Sequence, residues 1–255
     1  MNNILEAKDL CKTYSAGKDN ELNILKNVNL GIKEGEFVSV MGPSGSGKST
    51  LLYNISGMDR LTSGKVIFNE NEISSYSEEE LSNLRLNKMG FIFQHIHLLK
   101  NLNVMDNIIL SAYVAKNIVR GEINQKAMEL MKKTGIYELK DNDITQASGG
   151  QLQRVGICRA LINDPDIVFG DEPTGALNSK AAGEIMEILN DINENGTTIL
   201  LVTHGTKVAA KTERVIFMLD GNIVAEENLG KFKKENNDLK ERESHLTNWL
   251  LKQGF

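Results

Sequence analysis

The sequence predicts an α/β fold in which a largely parallel sheet is covered by helices on both faces. Short β-branched or apolar runs alternate with stretches of helical spacing along most of the chain. A glycine-rich segment that ends in lysine and serine follows one of the apolar runs and precedes a helical stretch. The 255 residues include 40% hydrophobic and 25% charged residues, a balance typical of a globular protein with a sizeable core.

The first part of the chain is predicted to be rich in strands. Its β-branched or apolar runs lie at residues 4–10, 22–32, 36–41, 65–68 and 89–93. The segment GPSGSGKST occupies residues 42–50, and the LLYNISGM that follows it has helical spacing. Ser77 and Glu80 have the spacing of a capping box, which predicts that another helix begins there.

Residues 95–160 are mostly helical in pattern and contain no proline, so we expect an inserted helical lobe. An amphipathic helix is predicted at residues 179–195, closed by Gly196. Asp220 and Gly221 separate two short apolar runs, which is a strong hairpin signal. The later strands are predicted at residues 166–169, 197–203, 215–219 and 223–225.

The end of the chain, from about residue 227, is charged and lacks strand signals. Its large apolar side chains fall near one helical stripe; they are Leu229, Phe232, Leu239, Leu246, Trp249 and Leu250. The favoured interpretation is a helix that packs back on the body. The alternative is a docking or regulatory helix.

Charge, cysteine content and hydropathy limit the class of protein. A net charge of −5 argues against nucleic acid as the main partner, because phosphate contacts need clustered lysine and arginine. Cys11 and Cys158 form no CxxC pair, so we interpret them as small hydrophobes in a reducing compartment. No signal-peptide pattern occurs, and no apolar run approaches the roughly 18 residues of a membrane span. We therefore expect a cytoplasmic protein that another protein would hold at any membrane.

Residues 42–49 fit the pattern G-x-x-x-x-G-K-[ST] between a strand and a helix. Glycines let such a backbone curl until its N–H groups face a phosphate. We assign that contact to Gly42, Ser44, Gly45, Ser46 and Gly47. Lys48 is predicted to reach the β- and γ-phosphates, Ser49 to bind Mg²⁺ and Thr50 to contact the α-phosphate. The alternative, a flexible surface loop, is disfavoured by the strand–loop–helix context.

Four polar residues follow apolar strands, at the edge where open α/β sheets bind ligands. Asp171 and Glu172 follow DIVFG, and we predict that Asp171 holds Mg²⁺ and Glu172 polarises the attacking water. Gln94 ends MGFIFQ and can contact Mg²⁺ and that water; His204 ends LLVTH and can hydrogen-bond the γ-phosphate. Taken alone, a glutamine or a histidine is more often structural, but the shared edge favours function.

The stretch TQASGGQLQR begins a predicted helix with a serine and two glycines. Free N–H groups and the positive end of a helix dipole suit an anion such as phosphate. The residues alone leave open whether a phosphate binds at Ser148, Gly149, Gly150 and Gln151.

Together these motifs resemble the ATP-binding cassette ATPases, the nucleotide-binding subunits of ABC transporters. GPSGSGKST, FIFQ, ASGGQLQR, DIVFGDEPTGALNS and LLVTH occur in that family's order and approximate spacing, within residues 2–226. The resemblance implies a P-loop ATPase core with an antiparallel β subdomain and a helical subdomain inserted at about 95–160. A C-terminal helical tail would follow at 227–255.

The resemblance also implies a homodimer that encloses two molecules of MgATP. Ser148, Gly149 and Gly150 would contact the γ-phosphate of ATP bound to the other protomer. Tyr14 matches the aromatic residue that stacks on adenine. The implied catalytic residues are Lys48, Gln94, Glu172 and His204, and the implied metal ligands are Ser49, Gln94 and Asp171.

Longer stretches resemble the macrolide-export and lipoprotein-release group of the family. These are MGPSGSGKSTLLYNISGMDRLTSGKV, MGFIFQHIHLL, the Asn107-Ile108 pair and DEPTGALNSK. Within that group, GALNSK and GIYEL look most like the bacitracin and antimicrobial-peptide resistance transporters. The implied partner is a separate integral membrane permease that docks near residues 95–107. That partner would place the chain at the cytoplasmic face of the membrane.

Three residues depart from the family's pattern: Ala147 replaces a commoner leucine, and Asn178 and Gly205 replace frequent aspartates. A lipoprotein-release or macrolide-type exporter is the nearest alternative. A soluble cassette ATPase of translation or DNA repair would need a second cassette or a long coiled-coil insertion, and neither pattern occurs. A P-loop kinase or switch GTPase would explain GPSGSGKST but not ASGGQLQR. The sequence predicts neither the transported substrate nor its direction.

Overall fold

The computed structural model describes residues 2–15, 21–116 and 119–254. Within them lie ten strands in two sheets and eight α-helices. The strands are β1 (Asn3–Ser15), β2 (Glu21–Lys33), β3 (Phe37–Met41), β4 (Ser63–Phe68), β5 (Asn71–Glu72), β6 (Met89–Phe93), β7 (Ile167–Asp171), β8 (Thr198–Val202), β9 (Arg214–Leu219) and β10 (Asn222–Asn228). The helices are α1 (Lys48–Ile55), α2 (Glu78–Lys88), α3 (Val104–Ala115), α4 (Arg120–Lys133), α5 (Gly149–Leu161), α6 (Ser179–Glu194), α7 (Thr206–Ala209) and α8 (Leu239–Lys252).

The larger sheet has six strands in the order β10-β9-β3-β8-β7-β6. The five strands from β9 to β6 are parallel, and β10 pairs antiparallel with β9. Every residue of β3 and β8 is buried, as expected for central strands of a sheet covered on both faces. The predicted α/β fold is therefore confirmed. The carboxyl ends of β3, β6, β7 and β8 meet at one edge of this sheet.

The second sheet is antiparallel, in the order β2-β1-β4-β5, which confirms the antiparallel β subdomain. β1 continues past the predicted strand to Ser15, because the polar residues after Leu10 still pair with β2. Asp9 and Asn27 have positive φ angles of 48° and 50° near the irregular part of this pairing. The extension carries Tyr14 to the end of the strand.

The helical lobe is built from α3, α4 and the buried side of α5. Its helices begin at Val104, later than predicted, because residues 95–103 form a loop held from within. Asn107 Nδ2 donates to the carbonyls of Leu99 and Leu102 over 3.1 Å each.

Cys158 lies in the core of the helical lobe, and burial raises the pKa of its thiol to about 12. The core of the lobe includes Ile108, Ile123, Ala127, Met131, Val155 and Cys158.

The last helix, α8, packs on the body and completes a hydrophobic cluster beside β3 and β9. Leu246 and Leu250 are buried in it, and the ring of Trp249 meets that of Phe217 edge-on with centroids 6.2 Å apart. The structure thus has the packed helix that the apolar stripe predicts. The helix begins at Leu239, well after residue 227, because β10 and an irregular segment come first.

Arg242 anchors α8 to the body. Its side chain is buried, and its guanidinium donates to four backbone carbonyls. The acceptors are Ala210 and Leu229 over 2.7 Å each, and Thr212 and Gly230 over 2.9 Å each. Burial lowers the pKa of the guanidinium. One side chain therefore ties the last helix to the segments that follow α7 and β10.

Among the described residues, no helix has both the length and the apolar character needed to cross a bilayer. The division of the chain at residues 226 and 227 stays a prediction. β10 crosses that point and ends at Asn228, because Glu226 and Glu227 continue its ladder with β9.

Candidate functional site

The loop at residues 42–47 connects β3 to α1 and requires glycine at two positions. Gly42 has a φ of 151°, and a Cβ there would lie 2.1 Å from the carbonyl oxygen of Met218. Gly47 has a φ of 97° and caps the N-terminus of α1. The first N–H groups of a helix have no partner within it. The loop therefore surrounds the start of α1 with backbone, and Ser44 and Gly45 lie exposed at its tip.

The Ser46 hydroxyl indicates whether this loop is suited to bind a phosphate. Ser46 is 2% exposed, and its hydroxyl has no hydrogen-bond partner among the described residues. A buried polar group without a partner costs about 1–3 kcal/mol. A phosphate oxygen in the loop would accept this hydrogen bond and remove the cost. The loop is thus chemically suited to a phosphate.

Lys48, the first residue of α1, bends back over the loop. Its Nζ donates to the carbonyls of Gly42 over 3.0 Å and Pro43 over 2.9 Å. Burial lowers the pKa of the ammonium group, and the charges of Glu172 and Asp171 partly oppose that effect. A triphosphate would give this buried cation a stronger partner than two neutral carbonyls.

Asp171 ends β7 and receives a hydrogen bond on each carboxylate oxygen. Ser49 Oγ donates to Oδ1 over 2.8 Å, and the Tyr53 hydroxyl donates to Oδ2 over 2.6 Å. Burial raises the pKa of the Tyr53 hydroxyl, and its bond to Asp171 raises it further. The sequence reasoning missed Tyr53. The available signal was its spacing, because residues four apart share one face of a helix and Ser49 was already assigned.

Ser49 and Asp171 could hold a divalent cation. Hydroxyl and carboxylate oxygens are ligands that Mg²⁺ prefers, and these two side chains already meet at 2.8 Å. Nowhere in the described ranges do three His, Cys, Asp or Glu side chains converge as a metal site. Phosphate and water oxygens would have to complete the shell, as is usual for magnesium bound with a nucleotide.

Glu172, His204 and Gln94 converge beside Asp171. His204 Nε2 lies 2.9 Å from Glu172 Oε1. A Cβ added to Gly175 would lie 2.9 Å from Gln94 Nε2 and 3.3 Å from Glu172 Oε2, which places these two side chains around one glycine. Glu172 has a φ of 49°, a backbone conformation that non-glycine residues adopt mainly where a structure demands it. The predicted catalytic group is therefore assembled at the sheet edge.

Tyr14 lies beside the same helix, α1. Its hydroxyl donates to Asp59 Oδ2 over 2.5 Å. Burial, and then the bond to Asp59, raises the pKa of Tyr14 to about 12. Lys12 Nζ lies 4.5 Å from the centroid of the Tyr14 ring, on one of its faces. Tyr14 itself is 41% exposed. A half-exposed ring next to the phosphate loop can stack on a nucleobase.

Ser148 caps α5, at a different place from this cluster. Ser148 N donates to Gln151 Oε1 over 2.8 Å, and Ser148 Oγ accepts from Gln151 N. The Gln151 side chain, a candidate for phosphate binding from sequence, thus caps its own helix here. The start of α5 borders a cavity of about 440 Å³, which it shares with the start of α6. The lining is Gly135, Ser148, Gly149, Gly150, Gln151, Arg154, Ala176, Leu177, Asn178, Ala181 and Glu184.

Two departures from the family's pattern can be placed. Asn178 caps α6, and its Oδ1 accepts from Ala181 N over 2.9 Å, a role that aspartate fills equally well. Gly205 precedes α7 with a φ of −89°, which any residue adopts, and its N–H donates to Thr203 Oγ1. Nothing in the structure explains why glycine stands at this position.

The predicted residues thus fall into two groups. The phosphate loop, Gln94, Asp171, Glu172 and His204 surround one edge of the sheet. The residues at the start of α5 line a separate cavity, which contains none of the described residues of the phosphate loop. The first group can hold a triphosphate with a cation and can orient a water. The second group offers a helix N-terminus to an anion from outside.

Known proteins resemble this chain in sequence and in fold. The family model described as ABC transporter matches residues 25–175. The ABC transporter ATP-binding protein MJ0796 of Methanocaldococcus jannaschii is 42% identical, over 90% of this chain and 99% of that protein. The bacitracin export protein BceA of Halalkalibacterium halodurans is 42% identical, over 86% of this chain and 87% of that protein. The macrolide export protein MacB of Chlorobium phaeobacteroides is 43% identical over 89% of this chain, which spans only 34% of that relative.

Solved structures of similar proteins have the same fold as this chain. A dimeric post-hydrolysis structure of the cassette MJ0796, bound to ADP and Pi, superposes with a TM-score of 0.83 at 40% identity, covering 89% of this chain and 100% of that one. CbiO1 of Clostridium perfringens superposes with a TM-score of 0.81 at 31% identity, covering 94% and 93%. The family model covers more than half of the chain, and the relative MJ0796 aligns along nearly its whole length. The chain therefore belongs to the ABC transporter family, as one of its ATP-binding cassettes.

Proposed function

We propose that this chain binds and hydrolyses MgATP as the ATPase subunit of an ABC transporter. The observation that carries the proposal is the contact between Glu172 and His204, 2.9 Å apart. It lies beside a loop that holds the buried cation of Lys48. A carboxylate, an imidazole and a buried ammonium around one phosphate-binding loop suit in-line attack of water on a γ-phosphate.

In this proposal the N–H groups at the start of α1 bind the β-phosphate, and Lys48 exchanges its two carbonyl partners for phosphate oxygens. Ser49 and Asp171, with Gln94, would hold Mg²⁺, which would neutralise charge on the β- and γ-phosphates. Glu172 orients the attacking water and takes its proton. His204 donates to the γ-phosphate, so it has to leave Glu172, its partner in this structure.

We propose that two copies of the chain close around two ATP molecules. The start of α5 lies in its own cavity, so a phosphate from another protomer is the anion suited to it. The similar cassette MJ0796 has been solved as a dimer. In the dimer, Ser148, Gly149 and Gly150 would contact the γ-phosphate held by the partner's phosphate loop.

A membrane permease is the proposed third component, held on a groove of about 390 Å³ between α2, α3, α5 and β6. Phe91, Phe93 and the 40% exposed Met58 contribute apolar surface to it. Arg159 Nη2 donates to the carbonyl of Ile96 over 2.7 Å, which ties the loop after Gln94 to α5. A segment docked there would therefore lie against α5, which is bonded to the loop after Gln94 and begins at the phosphate-binding residues next to Ser148. Docking would hold the chain at the cytoplasmic face of the membrane.

The proposed cargo is an antimicrobial peptide of the bacitracin type. Support comes from the similarity to the bacitracin export protein, which is aligned along most of its length. A lipoprotein-releasing ATPase from Rhodopseudomonas palustris, 38% identical over 99% of its length, keeps lipoprotein release as the alternative. Co-purification of the chain with its permease, followed by peptide-stimulated ATPase measurements, distinguishes the two.

The test of the shared site is complementation between two inactive variants. Lys48→Ala disables the phosphate loop, and Ser148→Arg places a bulky cation at the start of α5. A mixed dimer would pair one intact loop with one intact α5. The mixture should therefore regain about a quarter of the wild-type rate, because half of random dimers are mixed and each has one complete site. If both groups belonged to one protomer, the mixture would stay inactive.

A further inference from the structure

Tyr53 holds the carboxylate oxygen of Asp171 that Ser49 does not contact. Its hydroxyl donates to Oδ2 over 2.6 Å, whereas Ser49 donates to Oδ1 over 2.8 Å. The proposed magnesium ion would take over the Ser49 oxygen and Oδ1. The tyrosine bond would then be the remaining one that orients the carboxylate. The roles assigned from the motifs do not include Tyr53.

The surroundings keep both partners in place. Asp171 pairs with Phe93 on one side and Val202 on the other, so its backbone is fixed between two strands. Rotation of the carboxylate is the freedom that remains. Tyr53 lies in α1, and its half-buried ring packs against the main hydrophobic core. A ring packed in this way can direct its hydroxyl at one oxygen with little loss of side-chain entropy.

We propose that Tyr53 is a positioning residue that restricts Asp171 to one oxygen, Oδ1, for the cation. This inference rests on the proposed function, in which Asp171 serves a nucleotide-bound magnesium ion. Mg²⁺ takes one oxygen from such a carboxylate in octahedral geometry, whereas Ca²⁺ accepts both oxygens in a larger and more flexible shell. The hydrogen bond from Tyr53 thus favours Mg²⁺, the smaller ion, and disfavours binding of Ca²⁺ through both oxygens of Asp171.

The test is Tyr53→Phe, which removes the hydroxyl and keeps the ring. The matched control is Tyr76→Phe, because Tyr76 packs against the same core and its hydroxyl is not a donor to Asp171. Binding of Mn²⁺, a paramagnetic substitute for Mg²⁺, is measured by electron paramagnetic resonance with a non-hydrolysable ATP analogue. Ca²⁺ affinity is measured by competition, and thermal unfolding reports whether each variant is folded.

The expected result is a fall in Mn²⁺ affinity of about tenfold or more in Tyr53→Phe, the range for loss of a group that orients a metal ligand. Ca²⁺ affinity should fall less, and Tyr76→Phe should bind as the wild type does. Unchanged Mn²⁺ affinity, or an equal fall for both ions, would overturn the inference and leave the proposed function standing. Absence of nucleotide-dependent Mn²⁺ binding in the wild type would overturn both.

Discussion

Replacement of Glu172 by glutamine separates a catalytic role from a structural one. The substitution keeps the size of the side chain and removes its charge. Glutamine can still contact His204, whose Nε2 lies 2.9 Å from Glu172 Oε1, and the backbone N–H of residue 172 can still donate to the carbonyl of Val202 over 3.0 Å. The two side chains are 26% and 37% exposed, so the pair is partly solvated.

The two roles predict very different magnitudes. A solvated ion pair contributes about 0–1 kcal/mol to folding, which corresponds to at most about 2–4 °C in the melting temperature of a chain of this size. A general base contributes roughly 10²–10⁴ in rate. At about 1.36 kcal/mol per tenfold, that is roughly 2.7–5.4 kcal/mol of transition-state stabilisation. We expect the large loss in turnover and the small change in stability.

The assay measures phosphate release at saturating MgATP, with thermal unfolding of the same preparations. Glu187→Gln is the control. Glu187 lies on α6, its Oε2 is 3.1 Å from Lys234 Nζ in an exposed ion pair, and the substitution removes the same charge. Glu172→Gln should lose at least about a hundredfold in rate and accumulate as a dimer with MgATP. A rate within about tenfold of the wild type, with normal folding, would refute the role given to Glu172.

Two further predictions concern buried cations. Arg242→Met should destabilise the chain by roughly 2–4 kcal/mol in denaturant unfolding, because the buried carbonyls of Ala210 and Thr212 and the partly buried ones of Leu229 and Gly230 lose their donor. Each buried group left without a partner costs about 1–3 kcal/mol before water re-enters. A change under about 0.5 kcal/mol would contradict the anchoring role. Burial lowers the pKa of Lys48 in the free protein, and bound phosphate favours its charged form. At pH values above that lowered pKa, ATP binding should therefore take up a proton, and affinity should fall as pH rises further. Calorimetry in buffers of different ionisation enthalpy measures the uptake. Affinity independent of alkaline pH would contradict this prediction.

Features with a local cause could be predicted from sequence. The strand Met89–Phe93 has the predicted bounds, and Ser77 forms its capping box with Glu80. The hairpin around Asp220 and Gly221 is present as β9 and β10. Such signals depend on residues that are neighbours in the sequence. Strand β1, in contrast, extends beyond its predicted end, because its later polar residues gain hydrogen-bond partners from β2.

Features with a tertiary cause were missed. Tyr53 became part of the site only because β7 brings Asp171 to α1, and Arg242 found four acceptors in segments far from it along the chain. The placement of the phosphate loop, Asp171, Glu172 and His204 at one edge followed from strand order, which the alternation of strands and helices already indicated. The roles of these side chains stay predictions until the variants are measured.

The four carbonyls held by Arg242 also set an order of events during synthesis. Ala210 and Thr212 lie shortly after His204, and they receive their donor only once residue 242 has been made. Domains generally fold as units during synthesis. The turn behind the histidine gains its arginine donor only when the last helix is present, so a nascent cassette would complete its fold only after that arginine has been made.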